Sequence, residues 1–366
     1  MTQRKIQRQN TRLRFERWAA NPTCHANVAA VVHNVSMATV AKHENPAIHI
    51  KEQSQLAFER GIVFEASILK DNAKRLVEEF VRVGAFQSSE RIHFVDLRIA
   101  QGTSQPLDFE SALDRSRRWL SDITNLQNGV HIIAGLAIRI PRGVMLPEAS
   151  LLLDVLVVDA RSPTRRCIVG EVKSYSDRGG YTKSASLASA RAQAGLYVHG
   201  MQLVLESLGV SDQAEVSEKG FLVLTKPGRN FPTVRWNEDL KWQAERARRG
   251  FELLEQSALD LNGQFAFDED LPDQQLLDLI LHAETAFGDA CIGFCERAPT
   301  CQRLSIARDD GAFLGDEMYR FLNGVPLSRA EALISGGQAA TGTEQDLVQR
   351  ILTSADDGHR SPGDGT

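Results

Sequence analysis

The chain has 366 residues, 42% of them hydrophobic and 24% charged, with a formal net charge of -5. This is the composition of a soluble globular protein, long enough for two domains or for one core with an appended lobe. The net negative charge excludes nucleic-acid binding by overall charge and leaves only local basic patches for it.

The opening stretch, MTQRKIQRQNTRLRFERW, is Arg-rich, with Glu16 its one acid. It reads as a solvated basic arm, with a DNA-contacting arm as the alternative. A transit peptide fits less well, because apolar amphipathic content is thin. No run approaches the ~20 apolar residues of a membrane span, and no secretory leader is visible. With an odd number of cysteines, these features point to a reducing cytoplasm rather than a disulfide framework.

Residues 54–83 predict a helix, since Phe58, Ile62, Ile68, Leu69, Leu76, Phe80 and Val83 recur near helical spacing, with Gly61 interrupting it. Residues 109–125 predict a second helix. HIIAGLAIRI (131–140), LLLDVLVVDA (151–160) and RRCIVGEVKSY (165–175) are short β-rich runs separated by Pro, Gly and Arg, as in a hairpin meander. An Ala/Leu-rich helix over 185–208 stops before Gly209. GFLVLTK (220–226) and PTVRW (232–236) are further strands, and 237–258 is helical. The order predicts an α/β sandwich around a mixed sheet. Residues 313–336 read as a helical hairpin about Gly324 and Pro326. From about 337 the Gly/Thr/Ser/Asp-rich chain reads as disordered apart from one helical turn.

Chemistry concentrates at Asp154 and at Glu171-Val172-Lys173. Asp154 lies inside an apolar run, where a carboxylate is costly unless it is paired or metal-bound. Glu171 and Lys173 are two apart on the next strand and leave the same face. If the two strands pair, Asp154 and Glu171 meet. Two such carboxylates suit Mg²⁺ or Mn²⁺, and a lysine beside the metal stabilises charge developing on a phosphate. An E-x-K triplet alone is a common surface pair; the upstream Asp154 strengthens the reading. On the following helix Gln193 and Tyr197, at i and i+4, share one face.

Asp154, GEVK (170–173) and QAGLY (193–197), in that order on strand, strand and helix, resemble the RecB-like branch of the PD-(D/E)XK nucleases. That branch includes the iron–sulfur exonucleases of CRISPR adaptation and the nuclease domains of recombination helicase–nucleases. The resemblance covers about residues 55–260. It implies that Asp154 and Glu171 bind the metal, helped by the Val172 carbonyl. It also implies that Lys173 is the catalytic lysine and that Gln193 and Tyr197 orient DNA or the active-site strand. Such enzymes place a histidine after a helical glycine. Here the segment is Gly61-Ile-Val-Phe-Glu65, so Glu65 is the candidate third ligand, the alternative being a solvated carboxylate.

Cys291, Cys295 and Cys301 lie within eleven residues, a spacing that can wrap one metal centre. Cys24 can supply a fourth thiolate, whereas Cys167 is embedded in the strand leading to Glu171 and packs as a small apolar residue. A distant upstream cysteine with a C-terminal trio resembles the same iron–sulfur nucleases, which implies a structural four-iron cluster. CxxxC stands where CxxC is commoner, and zinc is the competitor.

The expected fold is therefore a mixed-sheet PD-(D/E)XK nuclease core with a helical, cysteine-stapled lobe. The core occupies 54–260, with a basic arm and the first part of the cluster lobe in 1–53. The cysteine lobe continues through 261–305, followed by the hairpin (306–338) and the tail (339–366). The expected function is metal-dependent DNA cleavage on single strands or DNA ends, in bacterial DNA processing or phage defence. The alternative is an inactive nuclease-like DNA-binding subunit, and a zinc-stapled interaction protein is a third reading. RGGYTKSAS (178–186) lacks the spacing of a phosphate loop, so any helicase partner is a separate chain. Basic clusters at Arg161, Arg165 and Arg166, and at Arg246, Arg248 and Arg249, are solvated faces or phosphate contacts.

Overall fold

The computed structural model describes residues 11–48, 55–100, 102, 105–140, 149–228, 231–261, 271–288, 291–311, 316–336, 339–342 and 344–359. Helices α1 (Thr11–Ala20), α2 (His25–Val32) and α3 (Met37–Glu44) come first. Then follow α4 (Gln55–Arg82), β1 (Ile92–Asp96), α5 (Phe109–Ser121), β2 (Val130–Ile140), β3 (Ala149–Asp159), β4 (Arg165–Ser176), α6 (Ser184–Ser207), β5 (Ala214–Val216), β6 (Lys219–Thr225), β7 (Pro232–Asp239) and α7 (Lys241–Leu261). Helices α8 (Asp273–His282), α9 (Cys291–Phe294), α10 (Ala298–Arg308), α11 (Asp316–Leu322), α12 (Leu327–Ile334) and α13 (Glu344–His359) follow. The chain divides into two compact units, one made of Lys51–Gln256 with Asn10–Leu13, the other of Arg14–Ile50 and Ser257–Thr366. No helix among the described residues is long and apolar enough to cross a membrane.

The first unit is built on a mixed sheet of order β1-β2-β3-β4-β6-β7, with β5 beside β4. β2, β3 and β4 form the expected antiparallel meander, and β1 and β6 pair in parallel with β2 and β4. Strand alternation sends Val155, Val157, Val172, Phe221 and Val223 to one face, where α4 covers them with Phe64, Ile68, Leu76 and Phe80. Leu222 and Leu224 point to the other face, against Leu187 and Ala190 of α6. The chain is thus a mixed α/β protein, with helices on both faces of its sheet.

Three expectations change. The long helix breaks at Lys70–Ala73 rather than at Gly61: Lys70 is extended, and Asp71, Asn72 and Ala73 are left-handed at φ 54, 56 and 58. Asp and Asn tolerate that conformation through local hydrogen bonding. Gly61 sits in open space with no close neighbour. The predicted helix over 109–125 ends at Ser121, and a 3-10 turn (Ile123–Asn125) replaces its last part. The tail read as disordered contains α13. Leu347 is fully buried against Leu322, Ala330 and Leu333, with Val348 and Ile351 packed alongside. Glu344 anchors the start of α13 through Arg329 at 2.6 Å and Thr341 N at 2.9 Å. Two strands, β1 and β5, were not expected.

In the second unit α2 and α3 pack on α8, with Ala29, Ala30, Met37 and Val40 against Leu276, Leu277 and Ile280. Arg14 is buried there and donates to the Val31 carbonyl and, at 2.9 Å, to that of Val32. The two carbonyls belong to the last turn of α2, whose carbonyls lack partners within the helix; that of Val31 also accepts from Asn34 N at 3.2 Å. The expected hairpin is α11 and α12, turned by Gly324 at φ +76.

Candidate active site in the sheet and a thiol cluster in the helical unit

The carboxylates assemble around the middle of β3. The β2–β3 ladder pairs Ala134 with Val155 and Leu136 with Leu153, so Gly135 stands opposite Asp154. The β3–β4 ladder pairs Val155 with Gly170, and one further step of that register sets Asp154 opposite Glu171. Asp154 Oδ2 accepts a hydrogen bond from Val172 N at 2.8 Å, which ties the carboxylate to β4. The Lys173 ammonium pairs with the fully buried Glu171. Burial pushes the Asp154 carboxyl up to about 6, and the nearby charge of Glu65 adds to the rise. Lys173, the Val172 amide and Arg98 oppose it. Asp154 is thus within electrostatic reach of Glu65, Lys173 and Arg98, and Glu171, opposite it in the ladder, pairs with Lys173.

Sequence reasoning missed Arg98, Asp96 and Gly135. Arg98 donates from Nε to Asp96 Oδ1 at 3.0 Å and from Nη2 to Asp96 Oδ2 at 2.8 Å, and it also pairs with Glu65. Burial works against its charge, but hydrogen bonding to Asp96 and the charge of Glu65 more than restore it. Gly135 is what makes room. A Cβ there would lie 2.1 Å from Arg98 Cγ, and its φ of +63 is a conformation that side chains other than glycine's rarely take. The signal available in the sequence was a glycine inside an apolar strand run, which marks a close approach.

Four carboxylates (Glu65, Asp96, Asp154, Glu171) face two cations (Arg98, Lys173), a formal excess of two negative charges. That excess matches one divalent cation, so the donor set fits a hard metal ion. Among the described residues no three His, Cys, Asp or Glu side chains are already arranged around a metal position. Arg98 pairs with Glu65 and Lys173 with Glu171. Gln193 and Tyr197, both buried, face each other on α6, with Gln193 Nε2 donating to the Tyr197 hydroxyl at 2.6 Å.

In the helical unit Cys24 precedes α2, Cys291 opens α9, Cys295 follows α9 and Cys301 lies in α10. All five thiols of the chain are free. Cys295 feels the charges of Cys291, Cys301 and Cys24, so the four sulfurs lie within electrostatic reach of one another. Burial raises Cys24 and pushes Cys301 up to about 11 and Cys295 up to about 12. Around them are donors suited to thiolates. Asn21 Nδ2 lies 3.1 Å from Cys291 Sγ and Gly288 N lies 3.4 Å from it. Arg297 is 3% exposed and gives Nε and Nη2 to Glu44 at 3.0 and 2.9 Å. Its Nη1 is buried with no hydrogen-bond partner, and its charge acts on Cys301 and Cys295. A buried guanidinium with an orphaned donor beside four thiols fits a bound anionic centre, such as a metal with thiolate ligands. Cys167 belongs to the other unit, fully buried in β4, where burial pushes it up to about 12.

No family model, curated protein or solved structure matches the chain.

Proposed function

We propose that the protein is a divalent-metal-dependent deoxyribonuclease, hydrolysing phosphodiester bonds of single strands or DNA ends and carrying a structural iron–sulfur cluster. The observation that carries this reading is the Asp154 carboxylate, drawn against Val172 N in a patch with an excess of two negative charges. A bound Mg²⁺ or Mn²⁺ would supply Lewis acidity and a water of lowered pKa. Asp154 and Glu171 are the proposed ligands, with Glu65 and the Val172 carbonyl completing the set. Lys173, two residues past Glu171 on β4, stabilises the charge developing on the scissile phosphate. Arg98, whose charge also acts on Asp154, is the proposed second cation of the site. The proposed role of the buried Gln193–Tyr197 pair is to orient DNA or the active-site strand. Cys24, Cys291, Cys295 and Cys301 are the proposed ligands of a four-iron cluster, with zinc as the competing occupant.

The test is cleavage of end-labelled DNA by anaerobically purified protein with Mg²⁺ or Mn²⁺. Lys173→Ala, Glu171→Gln and Asp154→Asn should each lower the rate by about 10²–10³ or more while folding is retained. Wild-type rate in any of the three would remove that residue from the site. A second reading, a nuclease-like DNA-binding subunit without chemistry, draws on the ion pairs that hold Glu65 and Glu171. Metal-dependent cleavage by the wild type excludes it.

A further inference from the structure

Helix α7 carries an exposed face that the site above does not use. Trp242 is 82% exposed, the most exposed large hydrophobic side chain among the described residues. Arg246, Arg249 and Leu253 follow it at i+4, i+7 and i+11, and all are exposed. That spacing sets the four on one stripe. Arg248, on the neighbouring row, is held by Glu245 at 2.9 Å and Glu252 at 2.7 Å. No ion pair among the described residues holds Arg246 or Arg249. Over α7 as a whole four cations stand against Glu245, Glu252, Glu255 and Asp260, and Lys241 pairs with Glu218 at 3.8 Å, so the positive charge left for a ligand is that of Arg246 and Arg249 on this stripe. The stripe is fixed in place. Gly195 of α6 admits Gln243, the neighbour of Trp242, so closely that a Cβ on Gly195 would lie 2.3 Å from Gln243 Cβ. Gly195 lies between Gln193 and Tyr197, so the stripe is mounted on the helix that carries that pair.

From these observations we propose that the Trp242–Arg246–Arg249 face of α7 is a docking surface for single-stranded DNA. A flat indole open to solvent offers a stacking platform for an unstacked base, and free guanidiniums at helical spacing offer phosphate contacts. A duplex keeps its bases stacked and leaves the indole without a partner. A membrane would need a broad apolar face, and here Leu253 is the only other apolar member of the stripe. The choice of DNA over RNA rests on the nuclease reading; the stacking and charge do not.

The test uses the full chain in EDTA, so that binding is read without cleavage. The probes are a labelled oligothymidylate, the matching oligouridylate, a duplex of the same length, and vesicles of phosphatidylcholine with phosphatidylserine. The oligothymidylate should bind and quench tryptophan emission. Trp242→Ala should weaken binding by about tenfold or more and remove most of the quenching, while Trp242→Phe keeps most of the affinity. Arg246→Ala with Arg249→Ala should weaken binding and lower the single-strand salt slope by about 1.4. Unchanged affinity in both the Trp242→Ala and the double arginine variants overturns the proposal. So does duplex or vesicle binding as tight as the single strand, or no binding by the wild type. Tighter binding of oligouridylate overturns the choice of DNA. Wild type that binds as described but never cleaves with Mg²⁺ or Mn²⁺ sinks the nuclease reading and leaves this surface standing. Wild type that cleaves, with both variants binding normally, sinks the surface alone.

Discussion

Asp154 carries a charge in a place that disfavours it. Its carboxyl is raised to about 6 by burial and by Glu65, against about 3.9 in an unfolded chain. A folded-state pKa above the unfolded one means that the native protein holds the extra proton between those values. The stabilisation from that proton is fully present below the unfolded value and is lost as pH rises through about 6. Without metal, Asp154→Asn should therefore raise the melting temperature at pH 7 and leave it nearly unchanged at pH 4, because the amide keeps an acceptor for Val172 N and sheds the buried charge. In the wild type, Mn²⁺ should raise the melting temperature more at pH 7 than at pH 5, where the proton competes for the same oxygens. Calorimetric scans of both proteins with and without Mn²⁺ check this, and a destabilised Asp154→Asn would remove the strain assigned to Asp154. Asp154, Glu171 and Lys173 were legible in the sequence because a charge inside an apolar strand run stands out. Arg98 was not, because an arginine in a loop reads as solvated, and only the Gly135 gap beside it shows where its stem goes.

At the scale of elements, strands with several alternating or continuous apolar residues were read correctly as β2, β3, β4, β6 and β7. β1 was missed because Ile92–Asp96 mixes three apolar residues with His93 and Asp96 and is only half-buried throughout. β5 has three residues, too few for any period to show. α13 was misread because the Gly/Thr/Ser-rich composition around it outweighed the i, i+4 pair Leu347 and Ile351 that packs it. Contacts between helices were not readable at all, since they depend on backbone approach. Gly195 illustrates this. Gly195→Ala would put a methyl group 2.3 Å from Gln243 Cβ and 2.6 Å from its backbone carbon. α6 and α7 must then part, at a cost of about 1–3 kcal/mol. The measurement is the denaturant midpoint; a midpoint equal to wild type would mean that α7 yields freely there. Gly61→Ala, at an open helix position, is the matched control and should gain up to about 1 kcal/mol.

At the scale of the whole molecule, the cysteines join segments from both ends of the chain. Count and spacing made the trio legible and suggested Cys24 as its partner. The donors around them were not legible, because Asn21 and Arg297 are unremarkable in sequence, and only burial distinguishes them. A centre held by Cys24 and Cys301 would close a loop of most of the chain, and cross-links of that kind are worth roughly 2–5 kcal/mol in disulfide cases. Cys24→Ser, Cys291→Ser, Cys295→Ser and Cys301→Ser should each lose visible absorbance and thermal stability together, while Cys167→Ser keeps both. Absorbance and metal analysis after anaerobic purification check the pattern and separate iron from zinc. A full complement of iron in Cys24→Ser would remove that ligand.

The helical unit is assembled from two distant stretches, and this sets an order on how the protein can be made. Val40 of α3 meets Leu276 of α8 only after 236 further positions have been synthesised. At ~5–20 residues per second, a ribosome needs roughly 10–50 s to deliver α8. The intervening sheet unit, being contiguous, can close on itself during that wait. The first three helices cannot complete their packing in that time: Ala30, Val35, Met37 and Val40, buried in the finished unit, lack the partners on α8 until that helix has been made. They are the part of the nascent chain that calls for a chaperone, and the part where truncated products from premature termination would aggregate.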